Sequence, residues 1–139
     1  GEDPNREGLK RTPQRVAKSW AFLTSGYETQ SRQVINNAIF QSQANNMIIA
    51  RDIEIYSLCE HHMLPFMGKA HIGYVPNGKV VGLSKLARVV EVVARRPQVQ
   101  ERMTQQIADF LDARLGPQGV HLGVPPGATP DLWNSRAPK

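Results

Sequence analysis

The chain has 139 residues, of which 40% are hydrophobic and 21% charged, and its formal net charge is +5 at pH 7. This length suits one globular domain with a sizeable core, and no apolar run approaches the roughly 20 residues that cross a membrane. The single cysteine excludes an internal disulfide framework. We therefore expect a cytoplasmic protein without a membrane partner.

The first predicted element is an amphipathic helix. Thr12-Pro13 is typical of an N-cap followed by proline at the first helical position. Gly26 is its predicted end, and a polar loop is predicted around residues 29–33. Three apolar residues fall on one face of this helix: Val16, Trp20 and Leu23.

Two strands are predicted in the middle of the chain. Residues 46–58 alternate between apolar and polar side chains, and residues 66–75 form a second strand-like run. Pro76-Asn77-Gly78 predicts a turn before a short apolar segment at Val80-Val81.

Cys59-Glu60-His61-His62 lies between the two predicted strands and carries the strongest chemical signal. A thiolate beside imidazoles is typical of a zinc site or of an activated nucleophile, and loops between rigid elements are the usual place for sites. Taken singly, a cysteine is more often a buried apolar residue and a histidine a surface residue. A catalytic zinc needs three protein ligands, so the set is incomplete in this motif.

A basic stretch follows, with six basic and two acidic residues between Lys79 and Arg102. It suits a phosphate-bearing ligand, although a solvated helix face gives the same pattern. Ser84 is the predicted N-cap of a helix that presents Lys85 and Arg88 one turn apart. Two apolar stripes predict core-facing helices: Leu86, Val89, Val90 and Val93, then Val99, Met103, Ile107, Phe110 and Leu111.

Several stretches together resemble the GTP cyclohydrolase I family over residues 1–120. They are Gly1-Glu2-Asp3-Pro4, Arg6-Glu7-Gly8-Leu9, Thr12-Pro13-Gln14-Arg15-Val16-Ala17-Lys18, Gly26-Tyr27, Cys59-Glu60-His61-His62, Pro65-Phe66, Gly82-Leu83-Ser84-Lys85-Leu86-Ala87-Arg88, Ala94-Arg95-Arg96 and Gln98-Val99-Gln100-Glu101-Arg102. Motifs of this length in this order are highly specific.

The resemblance implies an α+β tunnelling fold, with an antiparallel sheet, helices packed on one face, and a toroidal homodecamer of two pentamers. It implies an N-terminal helical part at residues 1–30, a tunnelling-fold core at residues 31–120, and a divergent tail rich in proline and glycine at residues 121–139. It also implies zinc-dependent opening of the guanine imidazole ring of GTP, which gives 7,8-dihydroneopterin triphosphate and formate for folate or pterin biosynthesis.

The resemblance also assigns roles to individual residues. The zinc ligands are Cys59 and His62, and His61 is the acid–base group near the purine. The guanine is read by Glu101 with Gln100 and Val99, and the nucleoside lies against Leu83 and Ser84. The triphosphate is held by Lys85 and Arg88, with Arg15 and Lys18 reaching a neighbour's phosphates.

The chain departs from the family pattern after Gly119-Val120, where a His-x-Cys motif and then Met-Arg-Gly are expected. The sequence there reads His121-Leu122-Gly123-Val124, so the zinc site is incomplete in this chain. Five of the ten prolines fall between Pro117 and Pro138, which argues against a buried strand.

Three functions remain open at this point. The chain is a family enzyme, a catalytically impaired structural or regulatory paralogue that binds a purine or pterin, or a protein that uses an altered pocket to bind or convert another purine or pterin. A zinc module that binds nucleic acid is disfavoured, because zinc fingers need two pairs of ligands at short spacing.

Overall fold

A computed structural model describes residues 1–29, 31–35, 37–124 and 133–135. The helices are α1 (Glu7–Lys10), α2 (Thr12–Leu23), α3 (Ser31–Ile35), α4 (Leu83–Ala94) and α5 (Gln100–Leu115), with a 3₁₀ turn at Ser25–Tyr27. The strands are β1 (Ile39–Gln41), β2 (Ile48–Cys59), β3 (Pro65–Val75), β4 (Lys79–Val81), β5 (Pro97–Gln98), β6 (Gly119–Gly123) and β7 (Trp133–Ser135).

The main sheet has five strands in the order β5-β2-β3-β6-β7. Its centre is the long antiparallel pair of β2 and β3, with Leu58 opposite Pro65 next to the connecting turn. The short β5 lies parallel to β2 and places Gln98 opposite Cys59. Strands β1 and β4 form a separate two-stranded antiparallel sheet. The predicted strands and the turn with Gly78 at φ 75° are thereby confirmed.

The core lies between the main sheet and helices α4 and α5. Alternate residues of β2, such as Ile55, are buried against the apolar stripes of the two helices, which the sequence predicted. Fully burying a Leu or Ile side chain stabilises the fold by about 1.5–3 kcal/mol. Packing of this kind therefore fixes both helices on one face of the sheet. Core residues include Leu86, Val89, Val90, Val93, Met103, Ile107 and Leu111.

Helix α2 carries the predicted apolar residues, but it packs loosely. None of its residues, all of which the structure describes, is buried. Val16, Trp20 and Phe22 are 48%, 42% and 57% exposed. The end of α2 is attached through Phe22, whose ring lies 3.9 Å from the Arg95 guanidinium carbon, a cation–π contact.

Both helix starts differ from the prediction by one or two residues. The N-cap of α2 is Arg11, and Thr12 is already helical, with its hydroxyl donating to the Gly8 carbonyl at 3.4 Å. The N-cap of α4 is Gly82, whose carbonyl accepts from the Lys85 N–H at 2.8 Å. Thr12 contacts the short helix α1 through Gly8, and the Gly82 N–H donates to the Ala38 carbonyl at 3.1 Å. Local sequence patterns do not indicate such contacts with neighbouring elements.

Two further predictions from local pattern were wrong. Helix α2 ends at Leu23, before Gly26, and the predicted loop at residues 29–33 gives way to α3 from Ser31 onward. Gly26 instead lies in a 3₁₀ turn, where its N–H donates to the Arg95 carbonyl at 2.9 Å. The tertiary contact with Arg95 thus explains the glycine at this position better than a helix end does.

The expectation of no buried strand near the proline-rich end was also wrong. Strand β6 pairs with β3, and its Val120 and Leu122 are 5% and 0% exposed. The strand is possible because Pro117 precedes it and the next prolines follow it. The rest of the predicted tail lies outside the described residues, apart from Val124 and β7. In the described part of the chain, no helix has the length and apolar character needed to cross a membrane.

Candidate functional site

The Cys-Glu-His-His motif forms a tight turn that joins β2 to β3. The N–H of Cys59 donates to the Leu64 carbonyl at 2.8 Å, and the N–H of Met63 donates to the Cys59 carbonyl at 2.8 Å. Met63 has φ 57°, in the left-handed region that is uncommon for residues other than glycine. The hairpin geometry therefore presents residues 60–62 at the end of the sheet.

The side chains of this turn bring together a thiol and two imidazoles. Cys59 is partly buried, and its Sγ lies 4.0 Å from Nδ1 of His61. Nδ1 of His62 accepts the Leu64 N–H at 3.2 Å. In the neutral ring of His62, the proton then resides on Nε2. A metal bound through either nitrogen would therefore replace this hydrogen bond.

The donor atoms of the turn fit zinc in type but not in number. Sulfur and imidazole nitrogen are ligands that zinc prefers. Within residues 1–29, 31–35, 37–124 and 133–135, however, no group of three His, Cys, Asp or Glu side chains could hold a metal ion. The described residues therefore supply a partial site.

A second segment lies beside the turn, at the junction of β5 and α5. Val99 is the N-cap of α5, and Gln100 and Glu101 form its first turn, where the helix dipole favours a carboxylate. The Gln100 side chain donates to the carbonyl of Val124, just beyond β6. Gln100, one of the predicted guanine-reading residues, thus links the start of α5 to the end of β6.

The turn and this segment line one pocket of about 400 Å³. Its lining includes the predicted residues Cys59, His61, His62, Val99, Gln100 and Glu101. The volume is within the range of about 300–1,000 Å³ typical of small-molecule sites. We refer to it as the donor pocket.

The predicted phosphate residues lie elsewhere in the chain. Lys85 and Arg88 line a pocket of about 360 Å³ together with Gly26 and Arg95, which we refer to as the cationic pocket. Arg88 also borders a third pocket, of about 580 Å³, with Phe22 and Tyr56. The lining sets of the donor and cationic pockets share no described residue.

The remaining predicted contacts lie outside all three pockets, as far as the described residues show. Leu83 and Ser84 are exposed at the start of α4, and Lys18 is exposed on α2. The Arg15 guanidinium donates to the Gly8 carbonyl at 3.1 Å. Within one copy, the chain does not gather these four residues around the donor pocket.

Sequence reasoning missed the residues that hold the donor pocket together. Gln98 is 1% exposed, and its side-chain amide donates to the Val93 carbonyl at 2.9 Å. Arg102 donates to Oε1 of Gln98 at 3.2 Å and forms an ion pair with Glu60. Both Glu60 and Arg102 fall inside the motifs identified above, but their contact joins positions 42 residues apart. No local pattern indicates it.

One side chain outside the donor pocket has a shifted acidity. The hydroxyl of Tyr56 donates to the Glu54 carboxylate at 3.1 Å. This hydrogen bond, followed by the charge of Glu54 and by burial, raises the pKa of Tyr56 above its ordinary value of 10.0. Both residues are on the exposed face of β2.

Comparison with known proteins gives a consistent assignment. A family model described as GTP cyclohydrolase I matches residues 1–125. The chain is 60% identical over 124 residues to GTP cyclohydrolase 1 of Chlorobium phaeovibrioides, which covers 89% of this chain and 56% of that protein. It is 58% identical to GTP cyclohydrolase 1 of Leptospira biflexa over 89% of this chain and 68% of that protein. The chain thus spans little more than half the length of the Chlorobium relative.

A solved structure supports the fold assignment. The apo crystal structure of an archaeosine synthase QueF-like protein matches with a TM-score of 0.57 and covers 67% of this chain and 91% of that chain. Sequence identity is 14%, so the likeness concerns the fold alone. It confirms the predicted α+β tunnelling fold.

Proposed function

The chain belongs to the GTP cyclohydrolase I family, and from this premise we propose that it uses zinc to hydrolyse GTP to 7,8-dihydroneopterin triphosphate and formate. One observation carries the proposal. The turn with the thiol and imidazoles and the segment with Gln100 and Glu101 line the same pocket. A guanine held by one would lie against the other.

Glu101 is the proposed reader of the guanine. Its carboxylate accepts hydrogen bonds only, and the guanine edge offers two neighbouring donors, the ring N1–H and the exocyclic amine. Glu101 is exposed at the start of α5, so it can meet a ligand without breaking a core contact. Gln100 already donates to Val124 and is proposed to support the pocket wall together with Val99.

Cys59 and His62 are the proposed zinc ligands within this chain. When bound, zinc lowers the pKa of a water molecule and polarises the purine. His61, whose Nδ1 lies 4.0 Å from the Cys59 thiol, is proposed to exchange protons with the purine ring as it opens. A third ligand would have to come from water, from another residue or from a neighbouring chain.

The cationic pocket is proposed to hold the triphosphate. Lys85 and Arg88 supply two positive charges there, while Arg95 is ion-paired with Glu91, which also lines the pocket. Because they are separate from the donor pocket in one copy, a complete site would combine two copies of the chain. This supports the proposed ring, a homodecamer of two pentamers, with Leu83 and Ser84 against the nucleoside and Arg15 and Lys18 near a neighbour's phosphates.

The other expectations from the resemblance become part of this proposal. They are a cytoplasmic protein in a folate or pterin pathway, with an N-terminal part at residues 1–30, a core at residues 31–120 and a divergent tail at residues 121–139.

The small number of metal donors among the described residues favours a second function. The described residues contain no group of three such donors, which suits a tunnelling-fold subunit that binds a purine or pterin without converting it. Such a subunit would still use the donor pocket and Glu101.

The deciding experiment measures zinc per chain and formate released from GTP in one purified sample. Zinc near one per chain with steady formate release supports the enzyme. Saturable GTP binding without zinc or formate supports the impaired subunit. If GTP does not bind at all, the enzyme proposal is wrong, and if no purine or pterin binds, the proposal of an impaired subunit is wrong as well.

A further inference from the structure

We propose that Glu60 and Arg102 form a positioning pair, which holds the metal-donor turn in place against the guanine-reading start of α5. The inference builds on the proposed function, because it assigns each segment its role. The resemblance assigns neither residue a role. Both contact the donor pocket through Gln98, which is one of its lining residues.

The pair stands directly behind the donor pocket. Glu60 is adjacent to Cys59, and Arg102 is adjacent to Glu101. Among the described residues that line the donor pocket, neither Glu60 nor Arg102 occurs. The Glu60 carboxylate instead meets the Arg102 guanidinium, so the ion pair bridges the two segments without facing a ligand.

Arg102 contacts three groups at once. Besides Glu60, its guanidinium donates to the Pro97 carbonyl at 3.0 Å and to Oε1 of Gln98 at 3.2 Å. Gln98 is buried, and its own carbonyl accepts the Glu60 N–H at 3.1 Å. The planar fork of arginine suits several acceptors together, whereas a lysine ammonium is a compact point charge.

Besides the ion pair, the turn is attached on this side by the hydrogen bond from the Glu60 N–H to the Gln98 carbonyl. Cys59 is paired with Gln98 by the short strand β5, while Glu60, His61 and His62 are exposed. Releasing the ion pair should therefore loosen residues 60–62 locally and leave the core of α4 and α5 intact. Local opening of this kind is distinct from global unfolding.

Cys59 provides a reporter for the pair that needs no metal, since it is the only cysteine of the chain. We would measure its alkylation rate by iodoacetamide in the chelator-treated chain of 139 residues. The variants are Arg102→Ala, Glu60→Ala and the double variant, which conserves the net charge. Arg6→Ala is the matched control, because it removes another exposed arginine that pairs with a glutamate, Glu2.

The expected rate in the double variant is about two- to fivefold above wild type, the range that an exposed ion pair supplies. The alkylation rate of each single variant should be no higher than that of the double variant, apart from the effect that the remaining unpaired charge has on the thiol. Arg102→Lys should fall between wild type and Arg102→Ala, and Arg6→Ala should match wild type. A double variant with the wild-type rate overturns the proposal.

Ligand binding then tests what the pair does for the site. Zinc affinity, measured by competition with a chromophoric chelator, and GTP affinity should both fall in Arg102→Ala, while the unfolding midpoint stays close to that of Arg6→Ala. Unchanged affinities for both ligands would overturn a positioning role.

If wild type binds neither ligand, the proposed function is wrong, and the thiol alkylation rates still decide whether the pair holds the turn. Should Arg102→Ala fail to fold, Glu60→Gln removes the charge with minimal change in shape and replaces it in both measurements.

Discussion

At the scale of single residues, His62 and Cys59 carry the metal proposal. Replacing His62 with alanine removes one of the two proposed donors, so zinc affinity should fall by more than the ~10–100-fold that loss of an outer-shell partner costs. His71→Ala is the matched control, because its Nδ1 accepts the Asp52 N–H at 3.2 Å on β3. Zinc retained by His62→Ala in equilibrium dialysis would remove His62 from the ligand set.

Glu101 should act on the nucleotide and not on the metal. A hydrogen bond to a charged group contributes about 1.5–3 kcal/mol, so Glu101→Gln should weaken GTP binding by about 10- to 100-fold. Zinc content should stay at the wild-type value. Asp112→Asn, which lies on the same helix, is the control. Isothermal titration with GTP provides the measurement, and an unchanged affinity would contradict the assignment.

Tyr56 gives a test of electrostatics on the exposed sheet face. Because Glu54 raises its pKa above 10.0, the folded state favours the neutral phenol. Any stability from this contact is present below pH 10 and is lost as pH rises through the higher folded pKa. Alkaline titration of the phenolate absorbance, with Tyr56→Phe as the subtracted reference, measures it. Glu54→Gln should lower the pKa towards 10.0, and no change would show that Glu54 is not the cause.

At the scale of elements, Gly26 controls how the N-terminal segment docks on the end of α4. A Cβ at this position would lie 2.1 Å from the Val92 carbonyl oxygen and 2.6 Å from that of Arg95. The Gly26 carbonyl also accepts two hydrogen bonds from Arg96, at 3.1 and 2.9 Å. The contact is between backbones, so a side chain has no space.

Gly26→Ala should therefore lower the free energy of unfolding by about 1–3 kcal/mol, the usual cost of overpacking. Gly73→Ala is the control, since its Cβ would lie 3.5 Å from the flexible Met47 side chain. Urea denaturation of both variants gives the comparison. Equal stability of the two variants would mean that the docking contact is not tight in solution.

Elements with a strong periodic pattern could be predicted from the sequence, and contacts between elements could not. The stripes of α4 and α5 and the alternation of β2 follow from their buried faces, which the chain encodes locally. The starts of α2 and α4 depend on α1 and on Ala38, and strand β6 depends on pairing with β3. The donor pocket was predictable as two motifs, but the pair of Glu60 and Arg102 joins them only in three dimensions.

At the scale of the whole molecule, the exposed surface is consistent with the proposed ring of several copies. Ile49, Tyr56 and Met67, on β2 and β3, are 57%, 55% and 74% exposed, and the apolar side of α2 is also open. Apolar surface of this kind commonly marks a protein interface. The separation of the donor and cationic pockets points to the same conclusion. Each copy would then contribute its donor pocket to a site shared with one neighbour and its cationic pocket to a site shared with another.

Mixed assemblies test this division of the site, provided that wild type releases formate. Lys85→Ala damages the cationic pocket and Glu101→Ala the donor pocket, so each variant alone should be inactive. If a site combines the pockets of two copies in a closed ring, random mixing in equal amounts restores about one site in four. The assay is formate release after the two variants are unfolded and refolded together, with separately refolded variants as controls. Activity that stays at the level of the controls would place both pockets of a site in the same copy, and the ring would then have no catalytic role.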